Sequence, residues 1–166
     1  MVRCRPAGSF RCVTQAIAQW MRDMEHAWDG HRAAVLRGDL AAALAALAAR
    51  PSVRHLPAMT GGSGRAETER FYAGDLLPHL PADLAVTRIS RTVDRFRLVD
   101  EITVTFTHDR ELPWLLPGIA PGGRTADVTA IAIAAFERGL VADQRIWWDY
   151  ATLTAQLGIP GLAAAS

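Results

Sequence analysis

Leu98-Val-Asp-Glu-Ile-Thr-Val-Thr-Phe-Thr-His-Asp-Arg110 alternates without a break. Ile102, Val104 and Phe106 fall on one face together with Asp100 and His108, and Glu101, Thr103, Thr105 and Thr107 fall on the other. A period of two, with β-branched and aromatic residues on one side, is the pattern of a strand half buried against a core. The same texture recurs over 84–96, 125–137 and 140–149, with turn residues between. The second half of the chain is therefore predicted to be an antiparallel sheet.

Upstream the period lengthens. Ile17, Trp20, Met21, Met24, Ala27 and Trp28 recur at steps of three and four, which predicts an amphipathic helix over 13–36 that Gly38 stops. Asp39 can cap a second helix running through Ala49, with Pro51 closing it. Residues 53–59 are short, apolar and bounded by proline, so they read as a brief edge strand. Gly61-Gly-Ser-Gly64 lacks the lysine and the spacing of a phosphate loop and reads as a flexible turn. A third helix is predicted over 65–77 with Phe71 and Tyr72 inward, and a short one over 150–157. Helices first and a sheet afterwards give an α+β domain, in which a curved antiparallel sheet wraps round three N-terminal helices to form a cone with an interior pocket. Residues 1–12 read as a flexible leader, 13–160 as one domain and 161–166 as a disordered tail.

Composition narrows the chemistry. The 166 residues are 50% hydrophobic, with 18 basic against 17 acidic side chains and a net charge of +1. No basic stretch stands out, so nucleic acid is not an expected partner. All the basic residues are arginine, which rules out a lysine Schiff base. The longest apolar run, 40–49, is far short of the roughly 20 residues that span a bilayer, so no membrane role is expected. Cys4 and Cys12 cannot build a disulfide framework, and a reducing, cytoplasmic home follows. His26, His31, His55, His79 and His108 show no ligand spacing. Neither a metal nor any other cofactor is expected.

The order of elements, and the closing segment Arg145-Ile-Trp-Trp-Asp-Tyr-Ala-Thr-Leu-Thr-Ala-Gln-Leu-Gly158, resemble the SnoaL-like polyketide cyclases of the nuclear transport factor two-like superfamily. The likeness covers about 14–160. It is carried by the helix pair around Arg37-Gly-Asp39, by Ser90-Arg-Thr-Val93 with Val99-Asp-Glu101 and Phe106-Thr-His108, and by Trp148-Asp149 ahead of Gln156-Leu-Gly158. Leu116-Pro-Gly118 is similar to one branch of that family. The resemblance implies a cofactor-independent cyclase, isomerase or dehydratase acting on a carbonyl-bearing, polyketide-like intermediate. It also implies an aspartate late in the last strand as general acid/base, a position that falls on Asp149. The superfamily includes epoxide hydrolases and non-catalytic binding subunits as well, and a fold alone does not choose among them. The epoxide-hydrolase pattern needs an Arg-x-Asp, whereas Arg97 and Asp100 are three apart and lie on opposite faces.

Several side chains are candidates for the pocket. Asp100 and His108 stand at the two ends of the inner face of their strand, where an apolar surround would raise a carboxyl pKa into the range of a general base. The alternative for Asp100 is an ion pair with Arg91 or Arg97. On the last strand Arg145, Trp147 and Asp149 share one face and Ile146 and Trp148 the other, which gives the pocket one tryptophan, taken as Trp147, and Asp149. The alternative for Asp149 is a helix N-cap. Arg91, His55, His108 or an indole N–H could stabilise an enolate. Trp20 and Tyr72 supply pocket wall, and Trp114 sits in a proline-rich hairpin connection expected to act as a lid. The expected ligand is a small hydrophobic carbonyl compound; the alternative is a protein that only holds such a ligand. A homodimer is expected through the outer sheet face, with Ala130, Ala132 and Ala134 as its flat surface.

Overall fold

The alternation of residues 98–110 is realised as a buried stripe. In the computed structural model, which describes residues 7–160 with side chains from residue 13, Leu98, Asp100, Ile102, Val104, Phe106 and His108 are all buried. In chain order the elements are α1 (Ala7–Leu36), α2 (Leu40–Ala45), β1 (Leu47–Leu56), β2 (Thr60–Ser63) and α3 (Arg65–Arg70), followed by β3 (Ala85–Val93), β4 (Arg97–Thr107), β5 (Thr125–Glu137), β6 (Leu140–Trp148) and α4 (Tyr150–Leu157). The six strands form one curved, unclosed sheet in the order β2-β1-β6-β5-β4-β3. Its inner face packs on the stripe of α1 that carries Met24, Trp28, His31 and Ala34, all of them buried and spaced as one helix face requires.

Three expectations change. The sheet is mixed, because β1 runs parallel to β6 while the other pairs are antiparallel. Helix α1 starts at Ala7, inside the expected leader; residues 1–6 and the expected tail at 161–166 lie outside the described residues. The second helix is only six residues long, and β1 passes straight through Pro51. Alanine favours helix over 41–49, yet Leu47, Ala48, Val53 and His55 gain burial only in a strand, and that packing overrides local propensity. Proline is tolerated because it sits where the β1–β6 register shifts, between Leu47 and Ser52.

The glycine turn is also a structural element. Residues 60–63 form β2, which makes β1 an interior strand. A Cβ at Gly61 would lie 1.9 Å from the Val53 carbonyl oxygen, and one at Gly62 would lie 2.5 Å from the Glu67 backbone. Glycine is what lets β2 fit between β1 and α3. After α3 the backbone widens into a π-helix over Phe71–Leu76 and tightens into a 3-10 turn over Leu77–His79. The hairpin connection after β4 buries Leu112, Trp114, Leu115 and Leu116 almost completely and accepts a hydrogen bond from Thr60 Oγ1 on the Trp114 carbonyl. It is packed into the core, with Trp114 against the cavity. Among the described residues no helix is long and apolar enough to cross a membrane.

Candidate functional site

Between α1 and the inner sheet face lies a cavity of about 90 Å³, space for a small organic ligand or several waters. Arg32, Leu36, Leu84 and Val86, all at least partly exposed, line its mouth. Its inner wall includes buried His31, His55, Tyr72, Trp114 and Gln144, with Ile102, Val104 and Ala132 from the sheet. Most of the lining is hydrocarbon or aromatic.

A hydrogen-bonded chain crosses the inner wall. His31 Nδ1 lies 3.1 Å from the Ala43 carbonyl, which can only accept, so that nitrogen carries the proton. His31 Nε2 is then an acceptor, 3.0 Å from the Tyr72 hydroxyl, and Gln144 Nε2 donates to the same hydroxyl. Tyr72 thus gives its proton to His31 and takes one from Gln144. Burial pushes the His31 pKa down to about 4, against the hydrogen bond with the Ala43 carbonyl. Burial likewise raises that of Tyr72. The tyrosine comes from the π-helix, an element frequent at functional sites. His55, on β1, is stacked on Trp148 and edge-on to Trp114, and burial holds its pKa at about 4. Its Nδ1 accepts from Trp148 Nε1 at 3.4 Å, which leaves the proton of the neutral ring on Nε2.

A second polar cluster sits beside the cavity. Asp100 is fully buried and accepts from Trp28 Nε1 at 2.8 Å, Arg32 Nη1 at 2.9 Å, Arg91 Nε at 2.6 Å and Arg91 Nη2 at 2.8 Å. Arg91 also holds Asp29 at 2.6 and 3.1 Å. Burial alone would raise the Asp100 carboxyl, but the hydrogen bonds from Arg91 and Trp28 and the charges of Arg91 and Arg32 outweigh it and hold the group below its usual range. An arginine between two carboxylates does form here. However, neither aspartate nor Arg91 lines the cavity, so the cluster is not placed to open an epoxide there.

Many solved structures match this fold. AclR from Streptomyces galilaeus, provisionally named a hydroxylase, superposes with a TM-score of 0.65 at 20% identity over 85% of this chain and 99% of its own. An NTF2-like protein of unknown function from Burkholderia pseudomallei gives 0.62 at 22% identity, covering 81% and 97%. A protein of Jannaschia sp. CCS1, provisionally named a SnoaL-like polyketide cyclase, gives 0.61 at 18%, covering 75% and 81%. The chain has the SnoaL-like, nuclear transport factor two-like fold. No family model and no curated protein sequence matches it.

Within this SnoaL-like cone the expected site residues divide. His55, Tyr72 and Trp114 line the cavity. Asp149, Trp147, Trp20, Arg91, Asp100 and His108 do not. Asp149 is exposed and accepts from Thr152 N as the N-cap of α4, and those bonds to Thr152 lower its pKa. Trp147 is 50% exposed on the outer sheet face, and Trp148 takes the inner place. Alternation alone could not choose, because each face of β6 offers a tryptophan and the β5–β6 register shifts between Ala135 and Phe136. Trp20 instead donates to the Arg95 carbonyl at 3.1 Å, at the turn between β3 and β4. Asp100 is consumed by its ion pairs. His108 is buried at the end of β4, its Nε2 has no hydrogen-bond partner among the described residues, and burial lowers its pKa. The alanines expected to face a second copy, Ala130, Ala132 and Ala134, are buried against the helices because they pair across from Ile102, Asp100 and Leu98.

His31, Arg32, Gln144 and Trp148 are cavity residues that the sequence reading passed over. His31 lies three residues after Trp28 and seven after Met24, on the same buried stripe of α1. Gln144 lies two and four residues before Ile146 and Trp148, on the inner face of β6. Among the described residues no cluster of three or more metal-ligating side chains occurs.

Proposed function

We propose that the chain is a cofactor-independent cyclase, isomerase or dehydratase for a small, mostly apolar carbonyl compound, with proton transfer running through Tyr72 and His31. The observation that carries this reading is the directed chain Gln144, Tyr72, His31, Ala43 in the wall of an otherwise apolar cavity. A carbon-bound proton passes to the Tyr72 oxygen as Tyr72 passes its own proton to His31 Nε2. The electron pair left behind moves onto the substrate carbonyl oxygen, where the Nε2–H of neutral His55 donates to it. A neutral imidazole with a lowered pKa suits that electrophilic role. Returning the proton to a different carbon isomerises the substrate, and attack of the enolate on a second carbonyl closes a ring.

The basicity of His31 limits the substrate. A base whose conjugate acid has a pKa of about 4 removes only a proton that is already acidified, such as one between two carbonyl groups. Poly-β-carbonyl, polyketide-like chains have such protons. The test is the metabolite that accumulates in cells lacking the protein, followed by mass spectrometry, and its conversion by the purified chain. Tyr72→Phe should lose conversion by about 10²-fold or more, and Asp149→Asn should retain it. Full conversion by Tyr72→Phe would sink the relay.

A second reading, a ligand-holding protein without chemistry, draws on the lack of a carboxylate in the cavity lining among the described residues. Tight binding of the accumulated metabolite with no turnover would select it. We also propose that two copies pair through the outer sheet face, where half-exposed Trp147 lies across from Ile131, and Arg145 across from Ile133. Sedimentation of Trp147→Arg against the unmodified chain tests this. A cytoplasmic location belongs with the same proposal.

A further inference from the structure

The two arginines on Asp100 are differently supplied with negative charge. Arg91 has three carboxylates, Asp100 and Asp29, each held through two nitrogens, and Glu25 at 4.0 Å, and its guanidinium is held above its usual pKa first by the hydrogen bond with Asp100. Arg32 gives one nitrogen, Nη1, to one oxygen of Asp100, an oxygen it shares with Trp28 and Arg91. Its Nε and Nη2 meet no partner among the described residues. Burial lowers its pKa despite Asp100 beside it, so its charge is under-compensated. The side chain is 20% exposed and lines the cavity mouth, and among the described residues no carboxylate lines the cavity with it.

We infer that the cavity takes an anion: a small carboxylic acid with an apolar body, whose carboxylate pairs with the two unused donors of Arg32 at the mouth while its carbonyl end reaches the inner hydrogen-bonding groups. The fork of a guanidinium matches two carboxylate oxygens, and its charge is permanent. Leu36, Leu84 and Val86 at the mouth and Ile102 and Val104 further in supply apolar wall for the intervening carbons. The inference rests on the reading of the cavity as a ligand site and adds the class of ligand, an oxo acid or its truncated relatives.

Hexanoate and hexan-1-ol share a body and differ in the group that would meet Arg32. Binding is followed through the indole N–H resonances of Trp28, Trp114 and Trp148, which line the cavity. Hexanoate should bind the unmodified chain about tenfold more tightly than hexan-1-ol, as one charge-assisted pair predicts. Arg32→Gln should abolish that difference, and Arg32→Lys should keep part of it. Equal affinities in the unmodified chain, or a difference that survives Arg32→Gln, overturn the anion assignment while leaving the cavity as a ligand site. If neither probe moves the indole resonances, the cavity reading falls with it. Should Arg32→Gln not fold, the acid and alcohol comparison in the unmodified chain still decides.

Discussion

The inner face of the sheet carries two polar regions built on different terms. Around Asp100 two guanidiniums and an indole meet one carboxylate, and Asp29 takes up what Arg91 has left. In the cavity wall the groups are neutral: Gln144, Tyr72, His31 and the Ala43 carbonyl are joined one to the next, and apart from them His55 has an Nε2–H with no partner among the described residues. The Asp100 carboxylate is saturated and fixes position, and of the groups around it only Arg32 keeps donors that a ligand can use. The neutral wall keeps the unused donor of His55, which can meet the acceptor of a ligand. In the sequence Asp100 looks more catalytic than Gln144, yet Gln144 lines the cavity and Asp100 does not.

Breaking the charged region should cost most. Asp100→Ala leaves two guanidiniums and an indole N–H without their shared partner, and urea unfolding should show a loss of about 3–5 kcal/mol. A loss below about 1 kcal/mol would show that the cluster is not structural. The neutral region is next, and pH probes it. Below about pH 6.5 the unfolded chain protonates His31 and His55, while the folded chain resists down to about pH 4. Stability is therefore fully present above pH 6.5 and falls as pH drops toward 4, by roughly 3 kcal/mol per histidine as an upper figure. His55→Asn should flatten that slope by up to half in urea titrations at pH 7 and pH 4.5.

Tyr72→Phe removes the hydroxyl and leaves His31 Nε2 and the Gln144 amide unpaired in a buried wall, at about 1–3 kcal/mol. Its Tm should fall measurably while the Asp100 cluster is untouched, which separates the two regions. Asp149→Ala is the smallest effect. It frays the start of α4 and should lower Tm by only a few degrees.

The fold was legible because it depends on period. Residues 98–110 alternate and 17–28 repeat at helical steps, and those two patterns place sheet and first helix correctly. What failed depends on partners distant in sequence. Pro51 reads as a helix stop, and only the register shift against β6 makes it acceptable in a strand. Gly61 and Gly62 read as a loose turn, and only the proximity of Val53 and Glu67 shows that they are there for want of room. For the site, burial of Asp100 was readable from its face and Arg91, nine residues away, was one of its two expected partners, but Arg32 reaches it from α1 across 68 residues and carries no local signal. Asp149 sat where the family likeness pointed, and the local geometry of a strand running into a helix gave it a capping role.

The parallel pairing of β1 with β6 also governs when the molecule can be completed. β6 lies between β1 and β5, so the strand pair made from residues 47–63 has no neighbour on its inner edge until residues 140–148 arrive. Contacts that close so long a loop form late in folding. His55 comes from β1, and Gln144 and Trp148 come from β6, so the cavity wall does not exist in a nascent or C-terminally truncated chain. Until the last strand docks, β1 offers an open strand edge with buried-type residues on one face, the surface by which partly made chains stick to one another.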